Sequence, residues 1–272
     1  MCAICGCSDD VPHGGHLGHE QHAHDHRHPH HHHGEPSSGH VHKRAPIELE
    51  RPPALHRLEQ QLLTANARRA ERNRSWLADR SVMAINLLSS PGSGKTTLLE
   101  RTIRDLGGEL PIVVVEGDQA TDRDAQRIRA AGGAAVQINT GAGCHLDAVM
   151  VERALAELSP APRSLLFIEN VGNLVCPALF DLGEDAKVVI ASVTEGEDKP
   201  LKYPHIFRAS RLVLLNKIDL LPHVAFDPAR FLEHARMVNP RIEAIAVSAT
   251  RGDHLAAWYD WVRRRIRASQ VE

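Results

Sequence analysis

The chain lacks several features that mark other classes of protein. Only 4% of its 272 residues are aromatic, which leaves few side chains for stacking on bases, and its formal net charge is only −2. No apolar run reaches the ~18 residues that span a bilayer, and the N-terminus has no apolar segment typical of a secretory signal. We therefore expect a cytoplasmic protein with no nucleic-acid partner and no membrane partner.

Cysteine is also scarce, and its placement argues against a disulfide framework. Of five cysteines, Cys2, Cys5 and Cys7 crowd the N-terminus, and thirteen histidines follow between His13 and His42. Such short cysteine spacings suit a metal in a reducing compartment better than disulfides. Residues 8–53 are dominated by His, Gly, Pro and charge, which cannot bury enough apolar surface to fold. Residues 1–53 therefore form a predicted metal-binding tail, disordered without metal.

Cys2, Cys5 and Cys7 supply three thiolates beside the terminal amine. Three sulfurs and one nitrogen can lie in a square plane, which suits Ni(II), whereas zinc prefers a tetrahedron. The ligands allow both metals. The histidines could chelate nickel, zinc or copper with little selectivity, so a storage role stays open, and an engineered purification tag is the rival explanation for the contiguous histidines.

Residues 54–272 read as one α/β domain. A helix is predicted from Ala54 to Asp79, and then apolar strands alternate with helices, which predicts a mostly parallel sheet with helices on both faces. The predicted strands are Val82–Leu88, Ile112–Glu116, Ala134–Ile138, Leu165–Glu169, Val188–Val193, Leu212–Asn216 and Ile242–Val247. The later predicted helices are Thr96–Leu106, Asp122–Ala131, Asp147–Leu158, Pro228–Val238 and His254–Arg267.

A glycine-rich turn follows the first apolar strand and precedes a predicted helix, as in a P-loop NTPase. Ser89 stands where the usual pattern has its first glycine. Backbone N–H groups in such a turn and the positive end of the helix dipole favour phosphate. We expect Lys95 to reach the β- and γ-phosphates and the Thr96 hydroxyl to bind Mg²⁺. The candidate phosphate-binding residues are Gly92, Ser93, Gly94, Lys95, Thr96 and Thr97.

Asn216, Lys217 and Asp219 end another strand and predict that the base is guanine. Asp219 can accept from guanine N1–H and the 2-amino group together, whereas adenine would leave a charged acceptor unpaired at a cost of about 1–3 kcal/mol or more. Asn216 would bond N7, and the stem of Lys217 would cover the base. Ser248 and Ala249 follow the last strand, where the Ala249 N–H would meet O6. The predicted nucleotide is therefore GTP.

Asp118 and Glu169 follow apolar strands whose ends should face the phosphates. Either carboxylate could hold Mg²⁺ or orient the attacking water, so both are candidate catalytic residues beside Lys95 and Thr96. No arginine is evident in cis, and such a group is worth about 10³–10⁵ in rate, so slow hydrolysis is expected.

A second candidate metal site lies within this domain. Cys144 and His145 are predicted to begin a helix, and Cys176 lies seven residues past Glu169, in the predicted γ-phosphate-sensing segment that starts at Glu169. A metal that bridged these segments would respond to the bound nucleotide. The alternative is that the two cysteines are small buried apolar residues, which is common for thiols.

Together these residues resemble the HypB family of hydrogenase nickel-incorporation GTPases along essentially the whole chain. The resemblance rests on Cys2-x2-Cys5-Gly6-Cys7, Ser89–Thr97, Glu116-Gly117-Asp118, Gly143-Cys144-His145, Glu169–Pro177 and Asn216–Asp219. It implies a GTPase of the signal-recognition and MinD-like class that forms a GTP-dependent homodimer. It also implies nickel delivery to the [NiFe]-hydrogenase large subunit with HypA as partner.

The resemblance further implies a tight nickel site at Cys2, Cys5 and Cys7 and a weaker nickel or zinc site at Cys144, His145 and Cys176. Three other functions stay open. A urease-accessory GTPase also has a His-rich start, but it carries Cys-Pro-His where this chain has adjacent Cys144 and His145. A metal-storage protein would bind nucleotide incidentally, and a small-molecule kinase is disfavoured by Asn216 and Asp219.

Overall fold

Seven strands form one parallel β-sheet in the computed structural model, which describes residues 53–118, 123–141 and 143–269. Every neighbouring pair of strands is parallel, and the order across the sheet is β3-β2-β4-β1-β5-β6-β7. The strands are β1 (Met83–Ser89), β2 (Ile112–Asp118), β3 (Ala134–Asn139), β4 (Leu165–Glu169), β5 (Ala186–Ser192), β6 (Leu212–Asn216) and β7 (Glu243–Ala246). The predicted tail, including Cys2, Cys5 and Cys7, lies outside the described residues.

Helices connect the strands, as parallel pairing requires. They are α1 (Pro53–Asp79), α2 (Lys95–Leu106), α3 (Arg123–Ala130), α4 (Ala148–Leu158), α5 (Cys176–Leu179), α6 (Lys199–Lys202), α7 (Pro204–Ala209), α8 (Pro228–Val238) and α9 (Leu255–Ser269), with a 3₁₀ helix at Ile218–His223. Within the described ranges, no helix is both long and apolar enough to cross a membrane.

The core consists of apolar layers on both faces of the sheet, as expected of strands that are apolar on both sides. Successive side chains of a strand point to opposite faces. Thus Met83 and Ile85 of β1 pack in the layer that contains Trp258 of α9, whereas Ala84 packs in the layer that contains Leu77 of α1. A third cluster around Phe231 covers β5 and β6 with α7 and α8. The predicted α/β architecture is confirmed.

One local prediction is wrong. Cys144 and His145 do not begin a helix, because α4 starts at Ala148. The Asp147 side chain accepts a hydrogen bond from the Met150 N–H at 2.8 Å and so caps the helix one residue before that start. Cys144 and His145 therefore lie in the preceding segment, residues 143–147, which we call the metal loop because two of the predicted metal ligands lie in it.

The carboxyl ends of β1, β2 and β4 meet at one edge of the sheet. β1 lies between β4 and β5, and β4 lies between β1 and β2, so the strand ends at Ser89, Asp118 and Glu169 lie side by side. In open α/β sheets this edge is where ligands bind. The predicted phosphate and magnesium residues come from these strand ends and from the loop that follows Ser89.

Candidate nucleotide and metal site

The phosphate loop joins β1 to α2 and needs glycine at a position of close approach. Gly94 has φ +95°, and a Cβ there would lie 2.6 Å from Nδ2 of Asn216. Only a residue without a side chain fits both the left-handed backbone and this contact. The loop therefore delivers backbone N–H groups to the N-terminus of α2, where an anion is favoured.

A cavity of about 570 Å³ lies over this loop. Its size is within the range typical of small-molecule sites, roughly 300–1,000 Å³. The predicted residues that line it are Gly92, Ser93, Gly94, Lys95, Thr96, Thr97, Asp118, Glu169 and Lys217. The structure thus brings together the predicted phosphate loop and all four predicted catalytic residues.

Glu169 is the point at which the predicted catalytic groups converge. The Thr96 hydroxyl donates to Glu169 Oε1 at 2.7 Å, and Lys95 Nζ lies 3.8 Å from the same oxygen. Glu169 is only 2% exposed, and its second oxygen, Oε2, has no hydrogen-bond partner. The Thr96 hydroxyl and this carboxylate are thus close enough to share a divalent cation.

Glu116 is a site residue to which the sequence reasoning assigned no role. It is 2% exposed, its Oε2 has no hydrogen-bond partner, and its carboxyl lies with those of Asp124 and Glu169 in a group whose oxygens are within 4.8 Å of one another. Burial raises the pKa of Glu116, and the charge and hydrogen bond of Glu169 raise it further, while Lys95 opposes this. A proton or a divalent cation lets such carboxyl groups lie so close. The sequence feature that identifies Glu116 is a carboxylate within an apolar strand, two residues before Asp118 and on the same face of that strand.

Arg127 is an arginine at the cavity, and the expectation that no arginine acts on the phosphates in cis stays a prediction. It lines the cavity, and its guanidinium donates to Glu100 at 2.9 Å and to Asp124 at 3.0 Å. Those carboxylates hold the guanidinium at the rim. Sequence reasoning missed it because Arg127 lies in α3, well away from the phosphate loop along the chain.

Asn216 links the phosphate loop to the predicted base-binding segments. Its Nδ2 donates to the Ser93 carbonyl at 2.9 Å, and its Oδ1 accepts from the Ala249 N–H at 3.0 Å. Lys217 Nζ donates to the Gly92 carbonyl at 2.6 Å. In this structure the Ala249 N–H therefore donates to Asn216, and its expected contact with guanine O6 stays a prediction.

Asp219 and Ser248 complete the predicted base-binding set. Asp219 lies in the 3₁₀ helix and is half-buried, outside the residues that line the cavity. Ser248 is buried, and its hydroxyl accepts from the Arg251 N–H at 3.0 Å. Their roles toward a base stay predictions, although the contacts of Asn216 with Ser93 and Ala249 link both segments to the phosphate loop.

Cys144, His145 and Cys176 form a cluster in which one ligand atom of each lies within 4.8 Å of the others. Cys144 Sγ lies 3.5 Å from His145 Nδ1, and Cys176 is fully buried at the start of α5. The Phe180 ring covers the His145 ring at a centroid distance of 3.9 Å. Burial lowers the pKa of His145, although nearby Asp147 opposes this, so the imidazole is kept in the neutral form that binds metals.

The metal loop is joined directly to the nucleotide site. Asn170, the residue after Glu169, accepts from the Leu146 N–H through its Oδ1 at 3.2 Å. The Leu146 side chain packs so closely on Gly117 that a Cβ at Gly117 would lie 2.8 Å from it. Asn173 Nδ2 also lies 3.4 Å from the Cys144 carbonyl. The segment after β4 and the metal loop are therefore in direct contact.

The phosphate loop and the parallel sheet define a nucleotide-binding domain of the P-loop class. The model of the CobW/HypB/UreG nucleotide-binding domain matches residues 83–246. HypB hydrogenase maturation factors are 60% identical over 209 residues in Azotobacter vinelandii (77% of this chain, 69% of the relative) and 56% over 205 residues in Escherichia coli K12 (75% and 71%). The chain belongs to the HypB family of hydrogenase maturation factors.

Two solved structures of this family resemble the fold. HypB from Archaeoglobus fulgidus is 41% identical with a TM-score of 0.70, covering 75% of this chain and 99% of that one. HypB from Helicobacter pylori, solved in complex with nickel, is 36% identical with a TM-score of 0.70, covering 75% and 96%.

Proposed function

We propose that the chain is a GTP-hydrolysing nickel metallochaperone that delivers Ni(II) during maturation of the [NiFe]-hydrogenase large subunit. The observation that carries the proposal is the hydrogen bond from the Leu146 N–H to Asn170 Oδ1. It joins the metal loop to the residue after Glu169, so that the proposed cargo site and the nucleotide site are directly connected. Membership of the HypB family supports the same function.

In this proposal, GTP is the substrate and Mg²⁺ the resident cofactor. The orphaned, buried Glu116 Oε2 and Glu169 Oε2 fit a hard divalent cation, and the Thr96 hydroxyl and Asp118 lie in the same cavity. Bound there, Mg²⁺ would neutralise charge that develops on the phosphates. Lys95 and the loop N–H groups from Gly92 to Thr97 bind the phosphates, and Asp118 or Glu169 orients the attacking water. Asn216, Lys217, Asp219, Ser248 and Ala249 bind guanine.

Nickel is the cargo, and Cys144, His145 and Cys176 bind it, with zinc as a competitor. Two thiolates and one neutral imidazole suit both ions. The tail at residues 1–53 holds a tighter nickel site at Cys2, Cys5 and Cys7, and residues 54–272 form the GTPase domain. The nickel complex of the Helicobacter pylori relative supports nickel as the cargo.

The proposed partners are a HypA-type nickel and zinc accessory protein, the hydrogenase large subunit and a second copy of this chain, which pairs when GTP is bound. The proposed compartment is the cytoplasm. These assignments rest on the family and on the chemistry of the cargo.

The test measures metal affinity at Cys144 in two nucleotide states of the full chain. Free Ni²⁺ is fixed with a chelator buffer, so that tail ligands do not deplete it, and alkylation of the Cys144 peptide is followed by mass spectrometry. We expect the nickel concentration for half-protection to differ about 5- to 150-fold between GDP and a non-hydrolysable GTP analogue. Equal values would remove nucleotide control and favour simple storage.

The tail site has a separate test. Adding Ni²⁺ to the full chain should produce thiolate-to-nickel charge-transfer absorption, which alanine at Cys2, Cys5 and Cys7 together should abolish. A chain that keeps these cysteines but has alanine at the thirteen tail histidines should retain the absorption. The assignment fails if the histidines, and not the cysteines, determine the spectrum.

Urease maturation is the second candidate function. A Helicobacter hepaticus relative named hydrogenase/urease maturation factor HypB is 39% identical over 208 residues, covering 75% of this chain and 85% of the relative. Expression of this chain in a host that lacks its own factor, with hydrogenase and urease activities assayed at limiting and excess nickel, separates the two. Rescue of urease alone would overturn the hydrogenase assignment.

A further inference from the structure

Helix α1 buries asparagines on the face that packs against the domain. Asn66, Ala70, Asn73 and Leu77 are buried on one side of this 27-residue helix. A buried amide costs free energy unless its polar atoms find partners, so packing alone would favour apolar residues at both asparagine positions. Helix α1 also lies outside residues 83–246, which match the nucleotide-binding domain. Its polar contacts therefore need an explanation of their own.

Asn66 and Asn73 hold Ala148, the first residue of α4, from two sides. Asn66 Oδ1 accepts from the Ala148 N–H at 2.9 Å, and Asn73 Nδ2 donates to the Ala148 carbonyl at 2.8 Å. An N–H at a helix start has no partner within its own helix, so Asn66 satisfies a group that would otherwise be left buried and unpaired. Because Ala148 follows His145 by three residues, α1 fixes the end of the metal loop.

The same two amides hold the segment that covers the histidine. Asn66 Nδ2 donates to the Asp181 carbonyl at 2.7 Å, and Asn73 Nδ2 donates to the Leu182 carbonyl at 3.0 Å. These carbonyls directly follow Phe180, whose ring lies against His145. Two side chains of one helix thus set both the chain that carries the imidazole and the aromatic ring that covers it.

A close backbone approach at Gly183 keeps this segment on α1. Gly183 has φ +92°, and a Cβ there would lie 2.6 Å from the Ala70 carbonyl oxygen and 2.8 Å from the Arg74 nitrogen. Arg74 also donates to both oxygens of Asp181, each at 2.8 Å. The segment from Asp181 to Gly183 therefore follows α1 rather than moving independently.

We propose that Asn66 and Asn73 are positioning residues for the metal site at Cys144, His145 and Cys176. They act through Ala148 and the Phe180 segment, without touching the metal. The inference rests on the proposed function of this cluster as a metal site. Groups that orient metal ligands typically change metal affinity about 10- to 100-fold when removed.

The test uses the full chain with zinc alone as the probe and GDP present. Free Zn²⁺ is fixed by a chelator buffer, and alkylation of the Cys144 peptide reports occupancy of this site, whatever the tail binds. We expect Asn73→Ala to raise the zinc concentration for half-protection about 10-fold or more. GTP affinity should stay within about twofold, whereas general damage to the fold would weaken nucleotide and metal binding together.

Arg69→Ala is the matched control, because Arg69 joins the same two helices. Its guanidinium bonds Glu152 of α4 at 2.9 Å, one turn beyond the metal loop, and zinc protection should be unchanged in this variant. If Asn73→Ala fails to bind GTP and is therefore unfolded, Asn66→Ala decides. The proposal is overturned if the asparagine variants protect like the unaltered chain, or if Arg69→Ala shifts protection equally. Absence of protection in the unaltered chain would instead defeat the metal site itself.

Discussion

The nucleotide cavity and the metal cluster lie against each other but differ in how their polar groups are satisfied. In the cavity, Ser93 Oγ, Glu116 Oε2 and Glu169 Oε2 are buried without hydrogen-bond partners. Around the metal cluster, the backbone of Leu146 and Ala148 is bonded by asparagine side chains. The cavity is built for a ligand that supplies the missing partners, whereas the geometry of the metal loop is already set by the protein.

In the proposed function, this difference would let one site control the other. Glu169 would exchange partners when phosphate and cation arrive, and Asn170 follows it directly in the chain. The metal loop is held by Asn170 on the nucleotide side and by Asn66 and Asn73 on the α1 side. If the first contact changes with nucleotide while the second stays, the positions of Cys144 and His145 would depend on the nucleotide.

The largest effect should come from Asp219→Asn, which alters only the nucleotide side of the comparison. Replacing an acceptor by a donor should shift preference from GTP toward XTP by about 10⁴-fold, because sites built on hydrogen bonds discriminate by that much. Competition binding measures the shift, and Asp260→Asn on the exposed face of α9 is the control. Equal binding of ATP and GTP by the unaltered chain would refute guanine recognition.

Lys95→Ala should lower the hydrolysis rate about 10²–10³-fold, since one charge-stabilising donor in an active site is worth that much. Single-turnover release of phosphate measures it. Arg236→Ala, on the exposed side of α8, should hydrolyse GTP at the unaltered rate. Near-normal hydrolysis by Lys95→Ala would mean that the phosphate site has been assigned wrongly.

Glu116→Gln should raise the Mg²⁺ concentration for half-maximal hydrolysis about 10-fold. The amide keeps the size of the side chain but cannot release a proton to give the charged oxygen that a cation would bind among Glu116, Asp124 and Glu169. Hydrolysis at a series of free Mg²⁺ concentrations gives the result, with Glu109→Gln, remote from the cavity, as control. An unchanged Mg²⁺ requirement would leave Glu116 a structural residue.

Asn170→Ala should have the smallest effect, but it tests most directly whether the nucleotide cavity and the Cys144 cluster are coupled. Removing the bond to the Leu146 N–H should reduce the difference in nickel affinity between GDP and the GTP analogue about fivefold. Nickel protection of Cys144 in both states measures it. Asn173→Ala, which loses the weaker contact to the Cys144 carbonyl, should retain most of the difference. Full retention by Asn170→Ala would exclude this connection.

Much of the fold follows from the sequence, because buried parallel strands are near-continuous apolar runs. The predicted strand Leu165–Glu169 matches β4 residue for residue, and the predicted helix Pro228–Val238 matches α8 in the same way. The structure also brings Lys95, Thr96, Asp118 and Glu169 to one cavity, because strand ends converge in a parallel sheet. Apolar runs and the residues at strand ends can be recognised within a few neighbouring residues of the sequence.

What could not be predicted depends on contacts between distant segments. Arg127 reaches the cavity only because α3 packs beside α2. The sequence predicts the start of α4 near Asp147 but wrongly places Cys144 and His145 on a helix, because the capping hydrogen bond of Asp147 is seen only in the structure. The buried asparagines of α1 carry no signal at all until Ala148 and Leu182 are seen beside them.

The backbone amide of Leu146 can serve as a nuclear magnetic resonance probe of both sites. The amide proton of Leu146, within the metal loop, is donated to the Asn170 side chain, and the Leu146 side chain fills the space beside Gly117. The chemical shift of this single amide should therefore respond to nucleotide through Asn170 and to metal through His145, the preceding residue. Nuclear magnetic resonance of a chain labelled with ¹⁵N-leucine, titrated along two axes, would give both binding curves and their interaction energy from one resonance.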